Sequence, residues 1–165
     1  MQLIINETDS IYVARDEAIA HGCNTRGIMG TGAAYALKER FGLEMFVEYR
    51  TACELETFQP GDVMVYHSHE DTSTLYNLAI QGKPGKHAKM THVQTTLAKL
   101  REILLKEHTK TLAITPLGTR NGGLDYDEVV SEIEKAFAGA DITVTIYSRK
   151  HQERIDRIFS LIAEN

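Results

Sequence analysis

Short apolar runs alternate along this chain with longer stretches whose apolar positions recur every three or four residues. The runs at residues 3–6, 18–22, 62–66, 75–80, 112–115 and 142–147 read as strands. Several are apolar almost throughout, the pattern of strands covered on both faces. The longer stretches read as helices over residues 33–41, 44–52, 91–108, 125–137 and 149–163. In the third, Val93, Leu97, Leu100, Ile103 and Leu104 keep helical spacing; in the last, Ile155, Ile158, Phe159 and Ile162 share a face. Alternation at this spacing predicts a three-layer α/β/α sandwich around a central mixed, mostly parallel six-stranded sheet. The departure is residues 62–80, where two strands joined by the polar stretch 67–73 read as a hairpin-like excursion. No repeat, linker or low-complexity tract interrupts the pattern, so one domain is expected over residues 1–165.

Two glycine-rich segments fall where a strand hands over to a helix. The first is Gly27-Ile28-Met29-Gly30-Thr31-Gly32, and the second is Gly118-Thr119-Arg120-Asn121-Gly122-Gly123. Glycine lets main-chain N–H groups approach a ligand closely, and a helix N-terminus favours negative charge. In open α/β sheets, ligands bind beyond the carboxyl ends of the strands, where both segments lie. The pair therefore predicts a clamp on a phosphate-containing ligand. Taken alone, the first segment reads equally well as a turn needing positive φ. Its glycine spacing differs from the dinucleotide fingerprint, and the Gly-Lys-Ser/Thr of a P-loop is absent. Asp125 is expected to cap the helix after the second segment.

A third segment, residues 77–89, also follows a strand; its Lys83, Lys86, His87 and Lys89 suit either a phosphate or a solvated loop face. His67 and His69 alternate on an expected edge strand, without a third metal ligand in view. Asp9 follows the first strand. Its carboxylate either caps a turn or accepts hydrogen bonds from an amino group such as adenine N6.

Composition narrows the class. The chain has 165 residues, a net charge of −5 and no long basic run, which argues against general nucleic-acid binding. Cys23 and Cys53 form neither a disulfide framework nor a zinc pattern, so reduced thiols and a cytoplasmic setting are expected. The N-terminus enters a strand-like run directly, without the basic n-region of a signal peptide. No apolar stretch approaches the ~20 residues that cross a bilayer. No metal and no cofactor is called for, and a monomer is expected.

Together these pieces resemble the macrodomain family, the ADP-ribose-binding fold, over about residues 9–148. The similar branch holds the human terminal ADP-ribose protein glycohydrolase and the bacterial antitoxins that remove ADP-ribose from DNA. The resemblance rests on Ala20-His21, on Met29-Gly30-Thr31-Gly32-Ala33 with Leu37-Lys38 and Phe41-Gly42, and on Pro116-Leu117-Gly118 with Asn121-Gly122-Gly123-Leu124 and Tyr126. It implies that Asp9 binds the adenine amino group and that Tyr147 and Ser148 flank the ring. It implies that Met29, Gly30, Thr31 and Gly32 hold one side of the diphosphate. Leu117, Gly118, Thr119, Arg120, Asn121 and Gly122 close over the other, with Asn24 beside the distal ribose and His21 near it. The branch's catalytic lysine falls on Gln81, with Lys83 two residues on, and its loop aspartate falls on Gly122. A glutamine forms no Schiff base and is no general base at neutral pH. The catalytic candidates are thus Asn24, Gln81 and Lys83. The implied activity is binding of ADP-ribose with hydrolysis at the distal ribose, of an ADP-ribosyl linkage or of ADP-ribose 1″-phosphate. A non-catalytic ADP-ribose reader is the alternative.

Overall fold

The computed structural model describes residues 1–148 and 162–163. Strands β1 (Gln2–Asn6), β2 (Ala18–Cys23), β3 (Val63–His67), β4 (Thr74–Ala79), β5 (Thr111–Ile114) and β6 (Thr143–Tyr147) form one six-stranded sheet in the order β1-β6-β5-β2-β4-β3. Every pairing is parallel except β3 with β4. The expected mixed, mostly parallel sheet and its hairpin are both present. The strand β3 ends at His67, so His69 lies in the hairpin loop rather than on the strand. The helix expected over 149–163 lies outside the described residues but for Ile162 and Ala163.

Helices α1 (Gly32–Phe41) and α2 (Leu43–Glu54) cover one face; α3 (Met90–Lys106) and α4 (Tyr126–Phe137) cover the other. The two-residue period of a strand divides β2 between the layers. Ala18 and Ala20 face α3 and α4, whereas Ile19 and Cys23 face α1 and α2. On α3, Val93, Leu97, Leu100 and Leu104 are fully buried, and each contributes roughly 2 kcal/mol of apolar transfer. Asp125 caps α4, accepting from Glu128 N–H at 3.0 Å. Among the described residues, no helix is long and apolar enough to cross a membrane.

This topology has one consequence for function. The parallel strands β1, β6, β5, β2 and β4 all end at the same rim. Each releases a loop there, and the glycine segments belong to the loops after β2 and β5.

Candidate functional site

The rim holds a cleft of about 610 Å³, within the usual range for small-molecule sites. Of the residues expected at a ligand, Asp9, His21, Asn24, Met29, Gly30, Thr31, Gly32, Gly118, Thr119, Arg120, Asn121, Gly122, Tyr147 and Ser148 line it, as does Gln81. Residues 28–32 and 118–122 therefore share one cavity. Leu117 does not line it: its side chain is buried in the core against α3 and α4. Lys83 is exposed and also lies off the cleft wall. Met29 is only 2% exposed, so its side chain anchors the loop in the core while its main chain reaches the cavity.

The first loop is held from beneath. Asn24 Oδ1 accepts from the N–H groups of Arg26 (3.0 Å) and Ile28 (3.3 Å), and Nδ2 donates to Ile28 O at 2.8 Å. The Tyr49 hydroxyl donates to Asn24 from the buried face of α2. One amide hydrogen of Asn24 remains for a ligand. The loop leads into α1, whose N-cap Thr31 makes no side-chain cap. The first N–H groups of α1 therefore stay open beside the cleft, a favourable place for an anion. The start of α4 contrasts with this, because Asp125 caps it and Asp127 and Glu128 add negative charge in its first turn.

Three loops tether one another around the cavity. Thr25 N–H donates to Gly82 O at 3.1 Å, joining the first loop to the loop after β4. Ala88 N–H donates to Gly122 O at 3.3 Å, joining that loop to the second glycine loop. Asn121 Nδ2 donates to Thr31 Oγ1 at 3.3 Å and closes the ring. Gly122 is tightly enclosed: a Cβ there would meet Gly118 O at 2.6 Å and the Ala88 Cβ at 2.7 Å. The backbone here leaves no room for a side chain.

Gln81 is 8% exposed and its amide donates to Lys83 O (2.6 Å) and Gly85 O (3.1 Å). Its side chain staples the turn after β4. At the other end of the rim, Asp9 Oδ2 accepts from Asn6 Nδ2 at 3.1 Å, while Asn6 Oδ1 accepts from the N–H groups of Thr8 and Asp9. Tyr126 and Ser148 share a hydrogen bond of 2.8 Å beside Tyr147. Burial, then the charges of Asp16 and Asp9, raise the Tyr147 phenol above its ordinary range.

On the cavity floor, His21 lies in register with Asn77. Its Nε2–H donates to Asn77 Oδ1 at 2.5 Å, which fixes Nδ1 as a lone-pair acceptor. That Nδ1 is buried with no partner among the described residues. Burial pushes the imidazole down to about 4, against a smaller opposing effect of Asn77. His21 is thus neutral near pH 7, with its one N–H engaged by Asn77. Cys23 and Cys53 are free and buried; burial raises both thiols, which makes them poor nucleophiles.

Sequence reasoning missed Asn6, Thr25 and Tyr49. Asn6 has a local signal, an Asn closing a strand before Thr8 and Asp9. Tyr49 has none, because a helical aromatic reads as core.

The Macro domain family model matches residues 20–133. The chain is 30% identical over 136 residues to the DNA ADP-ribosyl glycohydrolase of Thermus aquaticus, covering 79% of this chain and 37% of that protein. It is 29% identical over 139 residues to that of Mycobacterium tuberculosis, covering 81% and 39%. The chain thus spans under two fifths of the curated relatives it matches. Among solved structures it superimposes on the macrodomain of Mycobacterium tuberculosis DarG with a TM-score of 0.80 at 26% identity, over 88% of this chain and 97% of that one.

Proposed function

Because the chain belongs to the Macro domain family, we propose that its cleft binds ADP-ribose and that it hydrolyses ADP-ribosyl groups from DNA at the distal ribose. The observation that carries this reading is the sharing of one cavity by two main-chain loops and the open N-terminus of α1. Such an arrangement suits a diphosphate without drawing on cationic side chains. The named activity of the relatives supplies the linkage and the DNA. Residues 1–165 act in this reading as one monomeric, cytoplasmic macrodomain.

The ligand lies along the rim. Asp9 accepts from the adenine amino group, with Tyr147 and Ser148 beside the ring. The loop 27–32 and the start of α1 hold one side of the diphosphate, and residues 118–122 hold the other. The distal ribose then sits at Asn24, toward the end of β4. Gln81 supplies no amine, so the reaction runs through water rather than a Schiff base. Water attacks the anomeric carbon while its bond to the departing DNA atom breaks. One water proton passes to a diphosphate oxygen and on to that atom. Loop N–H groups stabilise the charge on the diphosphate, and Asn24 holds the ribose for attack.

A second reading, a reader that captures ADP-ribose without turnover, is favoured by the engaged amide of Gln81 and the enclosed Gly122. One panel separates them. The protein is incubated with ADP-ribosylated oligonucleotide, ADP-ribosylated protein and ADP-ribose 1″-phosphate, and product is followed alongside calorimetry with ADP-ribose, NAD and ATP. Release from the oligonucleotide supports hydrolysis of DNA linkages. Release from ADP-ribose 1″-phosphate alone reassigns the enzyme as a phosphatase. Binding without turnover on any substrate supports the reader, and tighter binding of NAD or ATP than of ADP-ribose overturns both.

A further inference from the structure

The cleft is electrically lopsided. At the β1/β6 end, Asp9 and Asp16 both act on the Tyr147 phenol, against a smaller opposing effect of Arg40. At the β4 end the balance reverses: residues 72–101 contain no Asp or Glu, within a chain of net charge −5. That stretch carries Lys83, Lys86, His87, Lys89 and His92 around the loop after β4. Its other cations are already used, Lys99 on Asp62 and Arg101 on the carbonyls of Ala136 and Ala138. Lys83, Lys86 and Lys89 are exposed, and among the described residues none of them stands in an ion pair. Asp127 and Glu128 lie beside Met90, so the basic stretch stops at the first turn of α3.

Position makes this asymmetry informative. Pro84 and Gly85 line the cleft between Lys83 and Lys86, and the Lys86 stem lies against Gly123 of the second loop. The segment is tied to both glycine loops through Gly82 and Ala88. The lysines therefore flank the distal end of the cavity on an anchored loop, where a group attached to the distal ribose must leave. We infer that Lys83, Lys86 and Lys89 form a track for the sugar-phosphate backbone of a single-stranded polynucleotide whose ADP-ribosyl group sits in the cleft. The inference rests on the reading of the cleft as an ADP-ribose site. Main-chain groups hold the nucleotide diphosphate, and lysines hold the polymer that carries it. Binding of ADP-ribose itself is then insensitive to the lysines, whereas binding of the polymer depends on them and on salt.

The test compares the wild type with K86Q/K89Q, which keeps the stem of residue 86 against Gly123. Affinities for ADP-ribose, an ADP-ribosylated single-stranded oligonucleotide and an ADP-ribosylated acidic peptide are measured from 50 to 300 mM salt. Losing two phosphate contacts lowers the salt slope for the oligonucleotide by about 1.4 and its affinity at 0.1 M by about 25-fold. ADP-ribose affinity stays unchanged. An unchanged oligonucleotide slope with intact ADP-ribose binding overturns the track and leaves the site standing. A loss confined to the peptide overturns the polynucleotide as occupant. Failure of the wild type to bind ADP-ribose removes the reading of the cleft itself.

Discussion

The Tyr49 hydroxyl lies 2.9 Å from both the main-chain oxygen and the side-chain oxygen of Asn24. A fully buried phenol on α2 thus holds the residue from which the first glycine loop springs. Tyr49→Phe removes the one O–H shared between these two oxygens, at a loss of about 1–3 kcal/mol in stability. Urea denaturation measures that loss. Calorimetry reads weaker ADP-ribose binding in the same variant, since Asn24 loses its support from α2. Unchanged affinity in Tyr49→Phe would show that the loop does not need this support.

Gly30 and Gly32 both line the cleft but differ as probes. Gly32 has φ +61, so a side chain there strains the loop as well as filling it. A Cβ at Gly30 meets nothing within 4 Å. Gly30→Glu therefore places a carboxylate in the cavity with the fold undisturbed. ADP-ribose binding should vanish in calorimetry while the thermal midpoint stays near that of the wild type.

Asp9 is held by Asn6 at one carboxylate oxygen, leaving the other for a ligand. Asp9→Ala should weaken ADP-ribose binding by about 1–3 kcal/mol. The inosine analogue of ADP-ribose lacks the amino group and should bind both forms equally. A parallel loss for the two ligands would return Asp9 to a role in the turn alone.

A Schiff base needs an amine at the reacting carbon. Gln81 has none, and Lys83 is off the cleft wall. Borohydride added during turnover should trap no covalent adduct. A peptide carrying ADP-ribose on Lys83 would reverse that conclusion.

His21 gives the fold an acid-sensitive step. Its folded value is about 4, below the ~6.5 of a free imidazole. Between those values the unfolded chain takes a proton that the folded one refuses. Stability therefore falls as pH drops from about 6.5 to 4, by on the order of 3 kcal/mol from this group. Urea titrations across that range should show the decline in the wild type and a flatter curve in His21→Asn.

Local information was enough for the sheet, the four helices of the described residues, the cap at Asp125 and the two glycine loops. Each depends on neighbours a few residues away: two-residue or three-to-four-residue spacing, a capping side chain, a glycine at a strand end. That the two loops meet was legible for the same reason, since parallel strands deliver them to one rim. What tertiary structure alone decided was how the rim is assembled. The order β1-β6-β5-β2-β4-β3 puts β5 and β4 on either side of β2 and so brings Thr25 to Gly82 and Asn121 to Thr31. It turns Leu117 inward, keeps Lys83 off the cleft wall and sets Tyr49 under Asn24. These contacts join residues distant along the chain, and their partners are selected by packing of the whole sheet and its two helical layers. No spacing rule along the sequence encodes them.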